Sequence, residues 1–279
     1  MSIGMVLRRS PHLPGVEPFY SEFIAGMEDA LRDSGDSVVL HIVPGLEEEL
    51  ESYRRWAASG HVSAVVVRDI VAGDVRAEVL RGLGLPVLVL GDPGYTEGEG
   101  IATLQVDNFG AMTQAVEFAV GLGHRVIGRV AGPAHLLHTG VRSRSFQEAV
   151  AAHDVIGLTA VGDYSEVSGS LAVEKLWRDP HRPTMIIFDN DAMAVGGLGF
   201  AIRNGVRVPD ELSMLAWDDS ILCRLSEPAL SAMRRDIHAL GATAVDIVGE
   251  LLAGRSPVAR LAPLPRLIVR GTTGSPPRR

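Results

Sequence analysis

The chain has 279 residues, 46% hydrophobic and 22% charged, a balance that supports a packed core and excludes disorder for most of its length. A formal net charge of −8 offers no broad attraction for phosphate backbones, so this chain by itself does not read as a DNA-gripping surface. Cys223 stands alone, which excludes an internal disulfide and a cysteine zinc site; no apolar run approaches a membrane span and no leader precedes the first strand, so the cytoplasm is expected.

Short apolar runs alternate with amphipathic helical stretches, the pattern of βα repeats on a parallel sheet. In chain order the first strand is expected at 3–7. A helix at 19–34 follows, with Phe23, Met27, Ala30 and Leu31 on one face and Gly35 to stop it. Further strands are expected at 38–43, 64–67, 87–90 and 102–105. After Asp107 a second series begins, with a helix at 109–121, strands at 126–131, 159–162, 185–187 and 212–216, and helices between them. Two such series predict an α/β fold of two similar doubly wound parallel-sheet lobes. A late helix is expected at 237–253 and a final strand at 267–269, and the Pro-rich tail at 274–279 reads as disordered.

Residues 184–220 carry the most information. An apolar run ends at Asp189-Asn190-Asp191, where a helix opens, and a second run ends at Trp217-Asp218-Asp219. Polar groups beyond the carboxyl ends of parallel strands line the crevice where small ligands bind, which makes Asn190 and Asp218 candidate site residues. Asn190 and Asp191 are equally good helix N-caps, and Asp219 reads as structural.

The series NDAMAVGGLGFAIRNGVRVPDELSMLAWDD closely resembles the effector-binding domain of the lactose-repressor (LacI/GalR) family of transcriptional regulators. The resemblance runs through VDNFGAM at Val106, GLGHRVIGRVAGP at Gly121, RSRSF at Arg142, EPALSAMRRD at Glu227, LLAGRSP at Leu251 and LIVRGTT at Leu267. It covers essentially the whole chain and implies the type I periplasmic-binding-protein-like fold, whose lobes are joined by a three-strand hinge. Residues 1–107 plus 237–263 would form the first lobe, and 108–236 plus 264–273 the second, with crossovers near 107, 236 and 263. The resemblance also implies a homodimer that senses a small ligand between its lobes and passes the change to operator DNA. The helix-turn-helix head that would bind the operator is absent from this chain, so the reading is the effector domain of a longer regulator. A periplasmic-type sugar-binding protein is the rival.

A sugar needs Asp, Asn and Arg at its hydroxyl edge and an aromatic plate on its C–H face. Phe19 and Tyr20 correspond to the family's paired aromatics. Arg142 matches its effector-contacting arginine and Tyr164 a ligand-packing aromatic, while Asp92 follows the fourth strand. Alternatives stay open: Phe19 as a staple to the core, Asp92 as part of a turn with Pro93-Gly94, and Arg144 as a competitor of Arg142, whereas Tyr20 is better placed to be polar and exposed. Glu17-Pro18 departs from the family's Asn-Pro. His135 and His138, in a loop unusually rich in histidine, read as surface residues rather than a metal pair.

Enzyme signatures are missing: no GxxxxGK[ST] loop, no GxSxG elbow, and a GGLG at Gly196 inside an expected helix rather than at a strand-to-helix turn. No cofactor is expected. A neutral sugar or polyol is the expected effector, because acidic and amide groups outnumber positive ones.

Overall fold

Runs such as Ala64-Val65-Val66-Val67 are apolar at every position, and in the computed structural model they are buried on both faces, as strands covered by helices on each side must be. The structure describes residues 2–8, 17–92, 100–255 and 259–277. The chain divides into two compact units, Met1–Asp107 with Asp236–Pro263 and Asn108–Arg235 with Leu264–Arg279, so it crosses from one to the other three times.

The first unit begins with β1 (Ser2–Arg8), α1 (Pro18–Leu31), β2 (Ser37–Val43), α2 (Leu46–Ser59), β3 (Ala64–Val67), α3 (Arg76–Gly82), β4 (Val87–Gly91) and β5 (Ile101–Gln105). The second follows with α4 (Asn108–Gly121), β6 (Val126–Ala131), α5 (Leu137–Ala152), β7 (Ile156–Val161), α6 (Glu166–Trp177) and β8 (Met185–Phe188). It continues through α7 (Asp191–Arg203), β9 (Ser213–Ala216), α8 (Ile221–Leu225) and β10 (Ser231–Arg234). The chain then returns to the first unit for α9 (Ile237–Leu252) and β11 (Arg260–Leu261), and to the second for β12 (Arg266–Ile268).

The two sheets share one plan, with strand orders β2-β1-β3-β4-β5-β11 and β7-β6-β8-β9-β10-β12. All pairings are parallel except β10 with β12, an antiparallel edge formed when the chain comes back for its last strand. Helix starts follow local chemistry. Pro18 sits in the first turn of α1, where its missing N–H costs nothing. Ser165, Asn190, Ser220 and Asp236 cap α6, α7, α8 and α9 with their own side chains. At Gly35 φ is +70°, and the helical segment ends there as expected.

Two helix pairs approach backbone to backbone. A Cβ on Gly26 of α1 would lie 2.0 Å from the His238 carbonyl oxygen, and one on Gly241 of α9 would lie 2.1 Å from that of Phe23. In the second unit a Cβ on Gly196 of α7 would lie 1.8 Å from the Glu166 carbonyl oxygen, and one on Gly169 of α6 would lie 2.2 Å from that of Met193. The GGLG segment thus lies inside a helix and serves its packing.

Two elements differ from expectation. The strand placed at 159–162 begins three residues earlier, because β7 is a sheet edge with most of its residues exposed, so hydrophobicity does not mark its start. The tail expected to be disordered starts with Gly274, whose N–H donates to Ser213 Oγ and whose carbonyl accepts from His124; Pro276 packs on Gly123.

Candidate functional site

In the second unit the strand ends carry a buried ionic frame. Arg129 is a fully buried charge within β6, and such a charge survives only with a partner. Its Nε and Nη2 donate to the two carboxylate oxygens of Asp189 at 2.9 and 2.6 Å, and its Nη1 donates to Ser143 Oγ at 2.8 Å. Asp189, just past β8, also accepts from the Gly132 amide at 3.1 Å. Burial pushes its carboxyl up, but the guanidinium groups of Arg129 and Arg142 and the Gly132 amide more than offset this and hold it below the usual carboxylate range.

Arg142, on α5, is steered by this frame. Its Nε donates to Asn108 Oδ1 at 2.8 Å, its Nη1 to the Asp189 carbonyl at 2.9 Å, and its guanidinium lies 4.4 Å from the centre of the Trp217 ring. Its Nη2 makes no hydrogen bond among the described residues. Arg144 is exposed and pairs with Glu148, so it does not share this position.

Past β9, Asp218 is half-buried and has neither a hydrogen bond nor an ion pair among the described residues. Its neighbours are committed. Asp219, with φ at +61°, takes a two-pronged ion pair from Arg270 at 2.6 and 3.0 Å, the structural role expected for it. Asp191 accepts from the Trp217 amide at 3.0 Å and the Ser220 amide at 2.6 Å.

Asn190 spends both ends of its amide on the fold: Oδ1 accepts from Met193 N at 2.9 Å and Nδ2 donates to the Tyr164 carbonyl at 3.0 Å. That bond helps hold Tyr164 at φ +72°. The Tyr164 hydroxyl lies 2.8 Å from His138 Nε2 and 3.3 Å from Thr139 Oγ1, and the two rings are nearly parallel, 6.4 Å apart. His138 therefore is a half-buried partner of Tyr164 on α5 rather than a surface loop residue, while His135 is exposed. No cluster of metal-ligating side chains occurs among the described residues.

In the first unit Phe19 and Tyr20 open α1 and are buried. Phe19 stacks on Phe23 at 5.9 Å, with the Arg68 guanidinium 3.6 Å from its ring centre. Tyr20 is 2% exposed, contrary to the expectation of an exposed ring, because its hydroxyl donates to the Asp69 carboxylate and the ring can then be buried without stranding a polar group. Arg68 and Asp69 follow β3, and Asp69 sits at φ +53°. Arg76 braces this turn: Nη2 donates to the carbonyls of Arg68 and Asp69 at 2.9 and 3.0 Å, while its other nitrogens bond Asp74 and the buried Glu49. Asp92 lies half-buried just beyond β4; the Pro93-Gly94 turn expected after it lies outside the described residues.

The expected residues thus fall into two sets, Arg142, Tyr164, Asn190 and Asp218 in one unit and Phe19, Tyr20 and Asp92 in the other. Arg129, Asp189, Arg68 and Asp69 belong beside them and were not foreseen, and Asp191 and His138, read from the sequence only as a helix cap and a surface residue, join them. Arg129 carried one signal, a charge inside an otherwise apolar strand run.

Two mostly parallel α/β units with polar side chains past their strand ends are the architecture of periplasmic-binding-protein-like ligand-binding proteins. The family model of the periplasmic binding protein-like domain matches residues 116–273. The transcriptional regulator MalR of Streptomyces coelicolor is 30% identical over 99% of this chain and 82% of its own length. A LacI family transcriptional regulator from Bifidobacterium animalis superposes with a TM-score of 0.89 at 30% identity, covering 99% of this chain and 98% of that one. The complex of the transcriptional regulator CelR with cellobiose gives 0.87 at 24% identity, over 98% and 84%. The chain belongs to the LacI/GalR family of transcriptional regulators, as its periplasmic-binding-protein-like effector-binding domain. It is therefore part of a regulator and not an enzyme. No helix among the described residues is long and apolar enough to cross a membrane.

Proposed function

We propose that this chain senses a small neutral sugar or sugar-like polyol for a cytoplasmic regulator and transmits its binding to an operator-binding head. The observation that carries the reading is the pair formed by Asp218 and Arg142. Asp218 is a half-buried carboxylate with no partner among the described residues, and Arg142 is fixed through Nε and Nη1 while Nη2 is left uncommitted. An acceptor next to Trp217 in the chain and a pre-aimed donor over the Trp217 ring suit a ring of hydroxyls that both donate and accept. In this unit Tyr164 is proposed as a further contact, with Asn190 holding its backbone, and in the other unit Phe19, Tyr20 and Asp92 are proposed as contacts. The CelR complex shows that a relative of this fold holds a disaccharide.

We further propose a homodimer. On α6, Val167 and Leu171 stand one helical turn apart at 70% and 60% exposure, and Ile202, Ile221 and Leu225 are exposed on the neighbouring α7 and α8. Exposed apolar side chains of this kind suit burial against a second copy. Light scattering at micromolar concentration tests it: a dimer is expected, and a monomer overturns it.

Calorimetric titration with cellobiose, maltose and ribose tests the effector reading, repeated on Asp218→Ala and Arg142→Ala. Each substitution is expected to weaken a bound sugar by at least about tenfold, the worth of one charge-assisted hydrogen bond. A sugar bound equally well by both variants refutes the site.

A further inference from the structure

Asp191 has a role of its own. It is the first residue of α7, is 4% exposed, and spans the turn that carries Asp218, one oxygen accepting from the Trp217 amide at 3.0 Å and the other from the Ser220 amide at 2.6 Å. Those two bonds fix the backbone immediately before and two residues after Asp218. Since Asp219 at φ +61° gives this turn an unfavourable conformation, something must hold it, and the Asp191 carboxylate, with the Arg270 pair on Asp219, does so.

The charged and titratable groups around Asp191 come from three elements. The turn supplies Asp218 and Asp219, and Asp219 is neutralised by Arg270, which follows β12. From α8, the Cys223 thiol donates to Asp191; burial and the two aspartates keep it protonated. The remaining uncompensated charge is that of Asp218. Burial first, and the Asp218 charge second, push the Asp191 carboxyl up to about 6. Its ionised form is thus held at some cost to the fold: the stability it contributes is complete below the unfolded carboxyl value and is lost as pH rises through about 6. A carboxylate kept charged against that gradient needs a reason beyond packing.

We infer that Asp191 is the positioning residue for Asp218, fixing the Trp217–Ser220 turn through its two oxygens, so that a hydroxyl-bearing ligand at Asp218 binds best when both carboxylates are ionised. The ligand consequence rests on the effector reading above; the positioning role does not. Ligand hydroxyls donating to Asp218 disperse its charge and weaken its repulsion of an ionised Asp191, so binding releases a proton and tightens as pH rises from about 5 to 7.

The test follows the backbone amides of Trp217 and Ser220 by nuclear magnetic resonance from pH 5 to 8 in the wild type, Asp191→Asn and Asp218→Asn. Both amides are expected to titrate together near the Asp191 midpoint, to lose that titration in D191N, and to show a midpoint lowered by about one unit in D218N, where the like charge is gone. Amides that do not titrate, or a midpoint unmoved in D218N, overturn the proposal. D218N serves should D191N fail to fold. Cellobiose titration near pH 5.5 and 7.5 adds the second arm: a bound sugar is expected to weaken about fourfold at the lower pH in the wild type, and far less in D191N. Wild-type affinity independent of pH overturns the linkage. Absence of cellobiose binding counts against the effector reading, and the amide titration still decides the role of Asp191.

Discussion

Replacing Arg129 by Met removes one half of the buried frame while keeping the volume of the side-chain stem. The wild-type pair is bidentate, at 2.9 and 2.6 Å, and neither side chain reaches solvent. Breaking a buried ion pair from one side costs about 3–5 kcal/mol, because the remaining charge is stranded rather than merely unpaired. Asp189 would keep the Gly132 amide at 3.1 Å and the Arg142 guanidinium at 3.9 Å, so the lower end applies, about 3 kcal/mol, or roughly two powers of ten in the folding equilibrium. Urea unfolding followed by tryptophan fluorescence reads this, with Trp217 reporting from beneath Arg142.

Two further results follow from the same geometry. The deficit of Arg129→Met should shrink as pH falls. Arg129 helps hold the Asp189 carboxyl below its ordinary value, so the pair contributes stability that is present above the unfolded carboxyl pKa and lost in acid. The double variant Arg129→Met/Asp189→Leu should be no less stable than Arg129→Met alone, since it removes the stranded charge. A single-variant cost below about 1 kcal/mol, or a double-variant cost equal to the sum of the two singles, would mean that the pair is not the buried, coupled unit described.

Gly196→Ala should lower the thermal midpoint by several degrees, because its Cβ would meet the Glu166 carbonyl at 1.8 Å and α6 and α7 must separate, at about 1–3 kcal/mol by calorimetry. His124 is buried between Thr184 Oγ1 at 2.8 Å and the Gly274 carbonyl at 3.0 Å, and burial lowers its pKa. Its contribution should be complete above the ordinary histidine value and fall away as pH drops below it, and a His124→Gln variant should show a flatter stability profile between pH 5 and 7. Tyr164→Phe should cost about 1 kcal/mol by losing the hydroxyl's contacts with His138 and Thr139, with the ring still in place for any ligand.

What could be read in the amino-acid order was whatever a local pattern encodes. Fully apolar runs marked the interior strands, and the polar residues before α7 marked a cap that the structure contains at Asn190, whereas the cap at Asp236 was not foreseen. The edge strand β7 lacked that pattern because most of it faces water, and its start was misplaced. The candidate set was legible through resemblance and strand ends, but which group supports which was not. Arg129 and Asp189 are sixty residues apart, Asp219 and Arg270 fifty-one, and no local rule pairs them. Tyr20 shows the same limit: its burial depends on Asp69, forty-nine residues away.

The turn after β8 draws these pairings together. Its three consecutive polar residues each support a different candidate contact: Asp189 gives its carbonyl to Arg142, Asn190 gives its amide to Tyr164, and Asp191 holds the amides on either side of Asp218. Two of the three are buried carboxylates, and they are driven in opposite directions, Asp189 down by its arginines and Asp191 up by burial and Asp218. A single short turn therefore fixes a donor, an aromatic and an acceptor while its own side chains are consumed by the fold. The side chains next to a strand end are then better read as the mounting of a site than as the site itself, and the groups left uncommitted, Asp218 and the Nη2 of Arg142, are where a ligand's hydroxyls find partners without first breaking a bond.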